Sequence, residues 1–219
     1  MIEIVAFVGD HYHPETSIRE ALEAALAPET AAGRIALRFE PVDRVDVVLS
    51  AEPDVVVLYK ENRINPESAE VRTWMTEELA EAVVRFVERG GGWLAWHSGL
   101  ASYPEDGAYV RMLRGCFVYH PPRPDRVRYR LETDDPFTAS LGGAPELSFV
   151  DEHYFVRVDE ANTSVFLRSS SKDGESVAGW RHVFGSGRVV CLTPAHTQEG
   201  LADTRLHRLL AAAVDWCLG

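Results

Sequence analysis

Cysteine is scarce in this sequence of 219 residues, which contains only Cys116, Cys191 and Cys217. The three are unevenly spaced, and no two of them form a C-x-x-C pair. This pattern excludes a disulfide-stapled scaffold and a zinc ribbon, because both depend on cysteines at paired spacings. It favours a reducing compartment, and we expect a cytoplasmic protein.

Positive charge and long apolar runs are also lacking. The chain has 22 Lys and Arg against 34 Asp and Glu, a formal net charge of −12. Nucleic acids and anionic membranes need a cationic face, so we expect neither as a partner. No apolar stretch approaches the roughly 20 residues of a membrane span. In "PPRPDRVRYR" the alternation places Arg126, Arg128 and Arg130 on one side of a strand, which indicates a solvated face.

Four short apolar runs in the first half of the chain predict a parallel sheet. They occupy residues 2–8, 34–40, 53–59 and 92–96. The continuous runs are typical of strands buried on both faces, and helical patterns between the strands favour right-handed βαβ units. From Arg114 onward the runs become shorter and alternate more, which predicts antiparallel hairpins. We interpret this part as a β-rich insertion into the same sheet, so that residues 1–219 form a single domain.

Three helices are predicted from periodicity and capping residues. The first is expected to begin at Thr16 or Ser17 and to end near Leu26. The second lies in "TWMTEELAEAVVRFVERGGG", where Trp74 falls on the apolar face and Gly90 follows the last helical residue. The third closes the chain over residues 203–218, with Asp203 as its N-cap.

Polar and titratable residues follow the predicted parallel strands at the point where each strand ends. These positions are residues 9–13, 59–61 and 97–99, which follow the first, third and fourth apolar runs. His196 ends a later strand in "GRVVCLTPAHTQEG". Ligands of parallel α/β sheets bind beyond the carboxyl ends of the strands, so these positions predict one functional edge.

The segment "GGGWLAWHSGLASY" ends an apolar strand on His97 and Ser98. The arrangement is similar in shape to a nucleophile elbow, although Ala95 stands where the G-x-S-x-G pattern has its first glycine. The alternative is that both side chains only cap the following helix, and the local pattern alone favours capping.

Five segments resemble the ThuA-like (trehalose utilisation) family in order and spacing. They are "RGGGWLAWHSGLASY", "LRGCFVYHPP", "FVDEHYFV", "VAGWRHVFGSGRVVCLTPAHT" and "HRLLAAAVDWCLG". The family is a branch of the class I glutamine amidotransferase-like fold. The resemblance therefore implies an α/β, flavodoxin-like three-layer sandwich with a mostly parallel central sheet and a β-rich insertion.

Class I amidotransferases place a cysteine at the elbow, followed later by a histidine and a glutamate. Position by position, the resemblance puts His97 in the nucleophile slot, His196 in the histidine slot and Gln198 in the glutamate slot. The attacking thiolate is absent, so glutamine hydrolysis is not expected.

Combining the strand ends with the family pattern gives two sets of candidate site residues. The predicted catalytic residues are His97, Ser98, Glu152 and His196. The predicted substrate-binding residues are His13, Lys60, His120, Asp151, Tyr154, Trp180 and Arg181. For Trp180 the alternative is a core aromatic residue, and we expect His153, His182 and His207 at the surface.

Three functions fit these residues. The first is an enzyme acting on a carbohydrate or keto-sugar derivative, with a histidine base and a carboxylate partner. The second adds a divalent metal such as Zn²⁺ or Mn²⁺, bound by His97, His120, His196 and either Asp151 or Glu152. The third is a non-catalytic module that binds a sugar or a protein. Close convergence of the histidines and one carboxylate would favour chemistry. The sequence leaves a homo-oligomer open.

Overall fold

The first half of the chain forms four parallel strands in the computed structural model, which describes residues 1–132, 137, 141 and 146–219. The strands are β1 (Ile2–Val8), β2 (Ile35–Phe39), β3 (Val55–Tyr59) and β4 (Gly92–Trp96). They pair in the order β2-β1-β3-β4, and every residue of β3 and β4 is buried. The predicted parallel sheet is confirmed.

The second half of the chain extends the same sheet with antiparallel strands. Its strands are β5 (Gly115–Tyr119), β6 (Asp125–Leu131), β7 (Leu147–Asp151), β8 (Phe155–Val158), β9 (Ser164–Ser171), β10 (Gly174–Phe184) and β11 (Gly187–Leu192). The full order is β2-β1-β3-β4-β11-β10-β9-β6-β7, with β11 parallel to β4. Strands β5 and β8 form a separate two-stranded ribbon. The predicted β-rich insertion is therefore present.

Helices cover both faces of the sheet and create two apolar cores. They are α1 (Glu15–Ala31), α2 (Val45–Ser50), α3 (Glu77–Glu88), α4 (Ala108–Leu113), α5 (Gln198–Leu201) and α6 (Thr204–Leu218). One core includes Ile4 and Ala6 of β1 together with α1 and α6. The other includes Val5 and Phe7 together with α2, α3 and α4. Alternate residues of β1 thus enter opposite cores, as expected for a three-layer sandwich.

The predicted boundaries of two helices are wrong. Helix α1 begins at Glu15 after Pro14, without a side-chain cap, and continues through Pro28 to Ala31. Its buried face ends at Leu26, which explains why the apolar pattern predicted a shorter helix. Helix α3 begins only after Thr76, whose hydroxyl accepts from the Leu79 amide, so Trp74 precedes the helix. The closing helix has its predicted cap at Asp203.

Two histidines expected at the surface are buried. His153 bonds through its two ring nitrogens to the hydroxyls of Ser171 and Ser169, and the His182 ring contacts the Met112 carbonyl. Both side chains therefore have polar partners inside the fold, although the sequence pattern placed them at the surface.

The exposed face predicted for β6 is confirmed, because Arg126, Arg128 and Arg130 are all exposed. They form ion pairs with surface glutamates rather than a free basic patch. None of the helices in the described part of the chain has both the length and the apolar character needed to cross a membrane.

Candidate active site

The carboxyl ends of the parallel strands β1, β4 and β11 bring three histidines together. His13 lies in the loop after β1, His97 directly follows β4, and His196 lies four residues after β11. Ring centroids are 5.1 Å apart for His13 and His97, and 4.7 Å apart for His13 and His196. A carboxylate joins them from the insertion, since Glu152 directly follows β7. The predicted functional edge therefore exists.

The turn after β4 is sharp because of two residues. His97 has a φ of +47°, in the left-handed region that non-glycine residues rarely adopt. Gly99 approaches β3 so closely that a Cβ there would lie 2.2 Å from the Leu58 carbonyl oxygen. The His97 Nδ1 atom lies 2.6 Å from the Thr193 carbonyl oxygen, and Ser98 donates its hydroxyl proton to Asp10. Neither side chain caps the short 3₁₀ turn that follows, so the capping interpretation is wrong.

Asp10 organises the loop after β1. Its carboxylate accepts from the amides of Tyr12 at 3.0 Å and Glu61 at 2.9 Å, and from the Ser98 hydroxyl at 2.7 Å. The His13 Nδ1 atom lies 2.5 Å from the same carboxylate. Burial raises the pKa of Asp10, but these hydrogen bonds outweigh it and leave the pKa well below its usual value. Asp10 is therefore a fixed negative charge behind His13.

The Glu152 carboxylate lies among the histidine rings. Its Oε2 atom is 3.3 Å from His196 Nδ1, 3.8 Å from His97 Nε2 and 3.9 Å from His120 Nε2. One ligand atom from each of His13, His97, His196 and Glu152 fits within 4.8 Å of all the others. We call these four residues the histidine cluster. Compared with the metal set considered from the sequence, His13 takes the place of His120.

Burial keeps His97 and His196 neutral. His97 is fully buried, and desolvation lowers its pKa well below the usual value. Desolvation, aided by the neighbouring charges of His13 and His120, lowers the pKa of His196 to about 4. Burial raises the pKa of Glu152. Neutral imidazoles beside a carboxylate suit both proton transfer and metal binding.

Asp151 and Glu152 have different environments although they are adjacent. Asp151 is fully buried, and its carboxylate accepts from the Tyr129 hydroxyl and the His196 amide, each at 2.6 Å. Burial raises the pKa of Asp151 to about 7. Asp151 therefore holds the loop that carries His196, while Glu152 faces the cluster. The predicted substrate-binding role of Asp151 does not fit this buried position.

A cavity of 390 Å³ opens beside the cluster. Its wall includes His13, Glu152, Ser98 and Tyr154, together with His120 at its half-exposed rim. Tyr154 stacks on His97 with ring centroids 4.1 Å apart. Five of the predicted site residues therefore line one cavity, and His97 and His196 contact two of them, Tyr154 and Glu152 respectively.

The sequence profile of the ThuA family, described as trehalose utilisation, matches residues 42–217. The chain belongs to the ThuA family. No curated protein matches it significantly. Among solved structures it is similar to a ThuA-like protein from Parabacteroides merdae, with a TM-score of 0.74 and 15% identity over 99% of this chain and 90% of that one.

Two further solved structures share the fold of this ThuA chain. The cytoplasmic protein STM3548 from Salmonella typhimurium has a TM-score of 0.66 and 12% identity, covering 99% of each chain. A β-galactosidase from Bacillus circulans has a TM-score of 0.64 and 12% identity, covering 98% of this chain and 31% of the enzyme. At such identities the likeness shows the α/β fold alone, and that fold is as expected.

Three predicted substrate-binding residues of the ThuA chain lie away from the cavity. Trp180 is fully buried, donates its indole N–H to the Leu113 carbonyl oxygen at 2.8 Å, and therefore has no face to offer a sugar. The Arg181 guanidinium lies over the ring of Trp216. The Lys60 ammonium donates to the Gly9 carbonyl oxygen beside a different depression. The fold thus places Trp180 in the core, and Arg181 and Lys60 away from the cavity.

Several site residues of the ThuA chain were not among the predicted catalytic or substrate-binding residues. Asp10 is the main one, although it lies among residues 9–13 of the predicted functional edge. Glu61, Ser102 and Phe117 line the cavity, and Thr193 orients His97 through its backbone carbonyl. A contact made by backbone leaves no trace in residue type, so the sequence offered no signal for Thr193.

Proposed function

We propose that this ThuA-family chain is an enzyme acting on a carbohydrate or keto-sugar derivative related to trehalose and similar glycosides. One observation carries the proposal: three histidines and a carboxylate converge within 4.8 Å at the side of a 390 Å³ cavity. A module that only binds a sugar has no need of such a convergence. Groups of this kind are expected where protons are moved or bonds are polarised.

The cavity has the chemistry of a sugar site. Its volume falls in the roughly 300–1,000 Å³ range of small-molecule pockets. Hydroxyls of Ser98, Ser102 and Tyr12 and the Glu61 carboxylate supply hydrogen-bond partners for sugar hydroxyls, while Phe117 supplies an aromatic wall. Mixed polar and aromatic lining of this kind supports a polyhydroxylated ligand.

Glu152 and the cluster histidines are the proposed catalytic groups. A ketone next to a carbon-bound proton, or a glycosidic bond, would meet them at the inner end of the cavity. The accessible reactions are proton abstraction beside a ketone, isomerisation, elimination or hydrolysis. Glutamine hydrolysis is not proposed, because His97 occupies the elbow and all three cysteines are buried. The proposed setting is cytoplasmic, with a small carbohydrate as the partner.

The test is a panel of trehalose, other disaccharides and their 3-keto forms, incubated with the protein in D₂O and followed by proton NMR. We expect either loss of the proton beside the ketone or release of a smaller sugar. Glu152→Gln should abolish the change. Glu199→Gln, which alters an exposed carboxylate paired with Arg126, should leave it intact.

The same panel distinguishes the binding-module alternative. A sugar that raises the melting temperature of the protein but shows no exchange and no product would favour the module and contradict the enzyme. Equal rates of exchange or sugar release in Glu152→Gln and the parent would show that the histidine cluster does not take part in the reaction.

A further inference from the structure

Three imidazole nitrogens of the histidine cluster have no hydrogen-bond partner among the described residues, and solvent does not reach them. They are His13 Nε2, His97 Nε2 and His196 Nδ1. Buried polar atoms are nearly always partnered, so each such atom requires an explanation. Three of them in one place, beside the Glu152 carboxylate, require a common one.

The hydrogen bonds of the Nδ1 atoms of His97 and His13 determine whether the Nε2 atoms carry a proton or a lone pair. His97 Nδ1 lies 2.6 Å from the Thr193 carbonyl oxygen, which can only accept, so Nδ1 bears the proton. His13 Nδ1 lies 2.5 Å from the ionised Asp10 carboxylate and donates to it for the same reason. In the neutral form of each ring the Nε2 atom then carries a lone pair that points into the cluster. Two lone pairs cannot hydrogen-bond to each other, whereas a cation bound between them satisfies both.

We propose that His13, His97, His196 and Glu152 together bind one divalent transition-metal ion. A donor set of three imidazole nitrogens and one carboxylate oxygen suits Zn²⁺, Co²⁺, Mn²⁺ or Fe²⁺ better than Mg²⁺ or Ca²⁺. The 3.3 Å between His196 Nδ1 and Glu152 Oε2 equals the edge of roughly 3.3 Å set by tetrahedral bonds of about 2.0–2.1 Å. Asp10 behind His13 and the Thr193 carbonyl behind His97 are the outer partners that metal-binding histidines have.

Two neighbouring candidates do not belong to the ligand set. His120 contacts Glu152 only at 3.9 Å and is half-exposed at the cavity rim. The Asp151 carboxylate is engaged by Tyr129 and by the His196 amide.

The cavity leaves one side of the proposed ion open. His13 and Glu152 belong to the cavity wall, so a further coordination position would face the 390 Å³ space. Catalytic metal sites keep such a position for water or a substrate oxygen. For the occupant of that position the inference rests on the proposed function, and a sugar hydroxyl or ketone oxygen is the group expected there.

The test is titration of chelator-treated protein with Co²⁺ alone, followed by calorimetry and visible absorption. We expect one Co²⁺ per chain and a higher melting temperature at saturation. Loss of an outer partner costs about 10–100-fold in metal affinity, so loss of a direct ligand in Glu152→Gln or His196→Ala should cost at least about 100-fold. His182→Gln is the matched control, because His182 is also buried with an unpartnered nitrogen but lies outside the cluster.

Two results would overturn the metal site. One is the absence of saturable Co²⁺ binding by folded wild-type protein, and the other is unchanged binding in both cluster variants. Circular dichroism confirms folding, and if His196→Ala does not fold, Glu152→Gln decides. Sugar turnover by fully chelated protein would show that the reaction does not need the ion, and the proposed function would stand. Stoichiometric Co²⁺ binding without activity on any sugar of the panel would support the metal site and contradict the proposed function.

Discussion

The substitution Asp10→Asn separates the organising role of Asp10 from its charge. The native carboxylate accepts four hydrogen bonds, from His13, Ser98 and the amides of Tyr12 and Glu61. An asparagine oxygen can keep the bonds to His13 and Tyr12. The Ser98 hydroxyl can turn to accept from the new NH₂ group, but the Glu61 amide is left facing a donor.

The loss of stability in Asp10→Asn can be worked out from these hydrogen bonds. One buried donor loses its acceptor, and the remaining bonds lose their ionic character, which together cost about 2 kcal/mol of unfolding free energy. In a chain of 219 residues this lowers the melting temperature by about 4–8 °C. His13 is then held by a neutral oxygen, so Co²⁺ affinity should fall by about 10–100-fold.

The assays are urea unfolding and Co²⁺ titration of the same preparation. Asp54→Asn is the control, because Asp54 also accepts a backbone amide, from Glu3, but lies at the opposite end of β3. It should lose some stability and keep its metal affinity. Unchanged Co²⁺ affinity in folded Asp10→Asn would refute the argument that Asp10 orients His13 as a ligand.

Three further predictions concern the elbow, a buried histidine and the core. Gly99→Ala should lose about 1–3 kcal/mol in urea unfolding and weaken ligand binding, because its Cβ would overlap the Leu58 carbonyl; parent-like stability would contradict the close approach. Burial lowers the pKa of His182 from 6.5 to about 4. The unfolding free energy that the neutral ring contributes above pH 6.5 is therefore lost as the pH falls from about 6.5 to about 4, by at most about 3 kcal/mol. His182→Gln should flatten that part of the pH–stability curve, and an unchanged curve would rule this cause out. Trp180→Phe should cost about 2 kcal/mol, because it leaves the Leu113 carbonyl with only the weak Cys191 thiol as a donor, and it should not slow sugar turnover; a selective loss of turnover would indicate that Trp180 belongs to the site.

The sequence was sufficient for the sheet because burial on both faces leaves a direct pattern. Residues 53–59 and 92–96 are continuous apolar runs, and both form strands at the centre of the sheet. The ends of such strands are also visible in the sequence, which is why His97 and His196 were predicted at strand ends. The structure places them after the neighbouring strands β4 and β11.

The composition of the histidine cluster could not be obtained in the same way. His13, His97 and His196 come from three separate loops, and Glu152 comes from the insertion, so no spacing along the chain relates them. The sequence also left open whether Asp151 or Glu152 supplies the carboxylate of the site. Their roles were settled by Tyr129 and the His196 amide, which hold the Asp151 carboxylate inside the fold.

The predictions were wrong for residues whose position depends on packing against distant parts of the chain. Trp180 and Arg181 occur in a family segment, but β10 directs the indole into the core against Leu113. His153 was expected outside because histidine is usually at least partly exposed, whereas the hydroxyls of Ser169 and Ser171 provide it with buried partners.

The most direct measurement of the central claim is a crystal soaked with Mn²⁺ and a disaccharide of the panel, recorded at a wavelength where manganese scatters anomalously. We predict an anomalous peak about 2.0–2.3 Å from His13 Nε2, His97 Nε2, His196 Nδ1 and the Glu152 carboxylate, with a sugar oxygen beside it in the cavity. Sugar ordered in the cavity without an ion in the cluster, or an ion and a sugar bound at separate places, would contradict it.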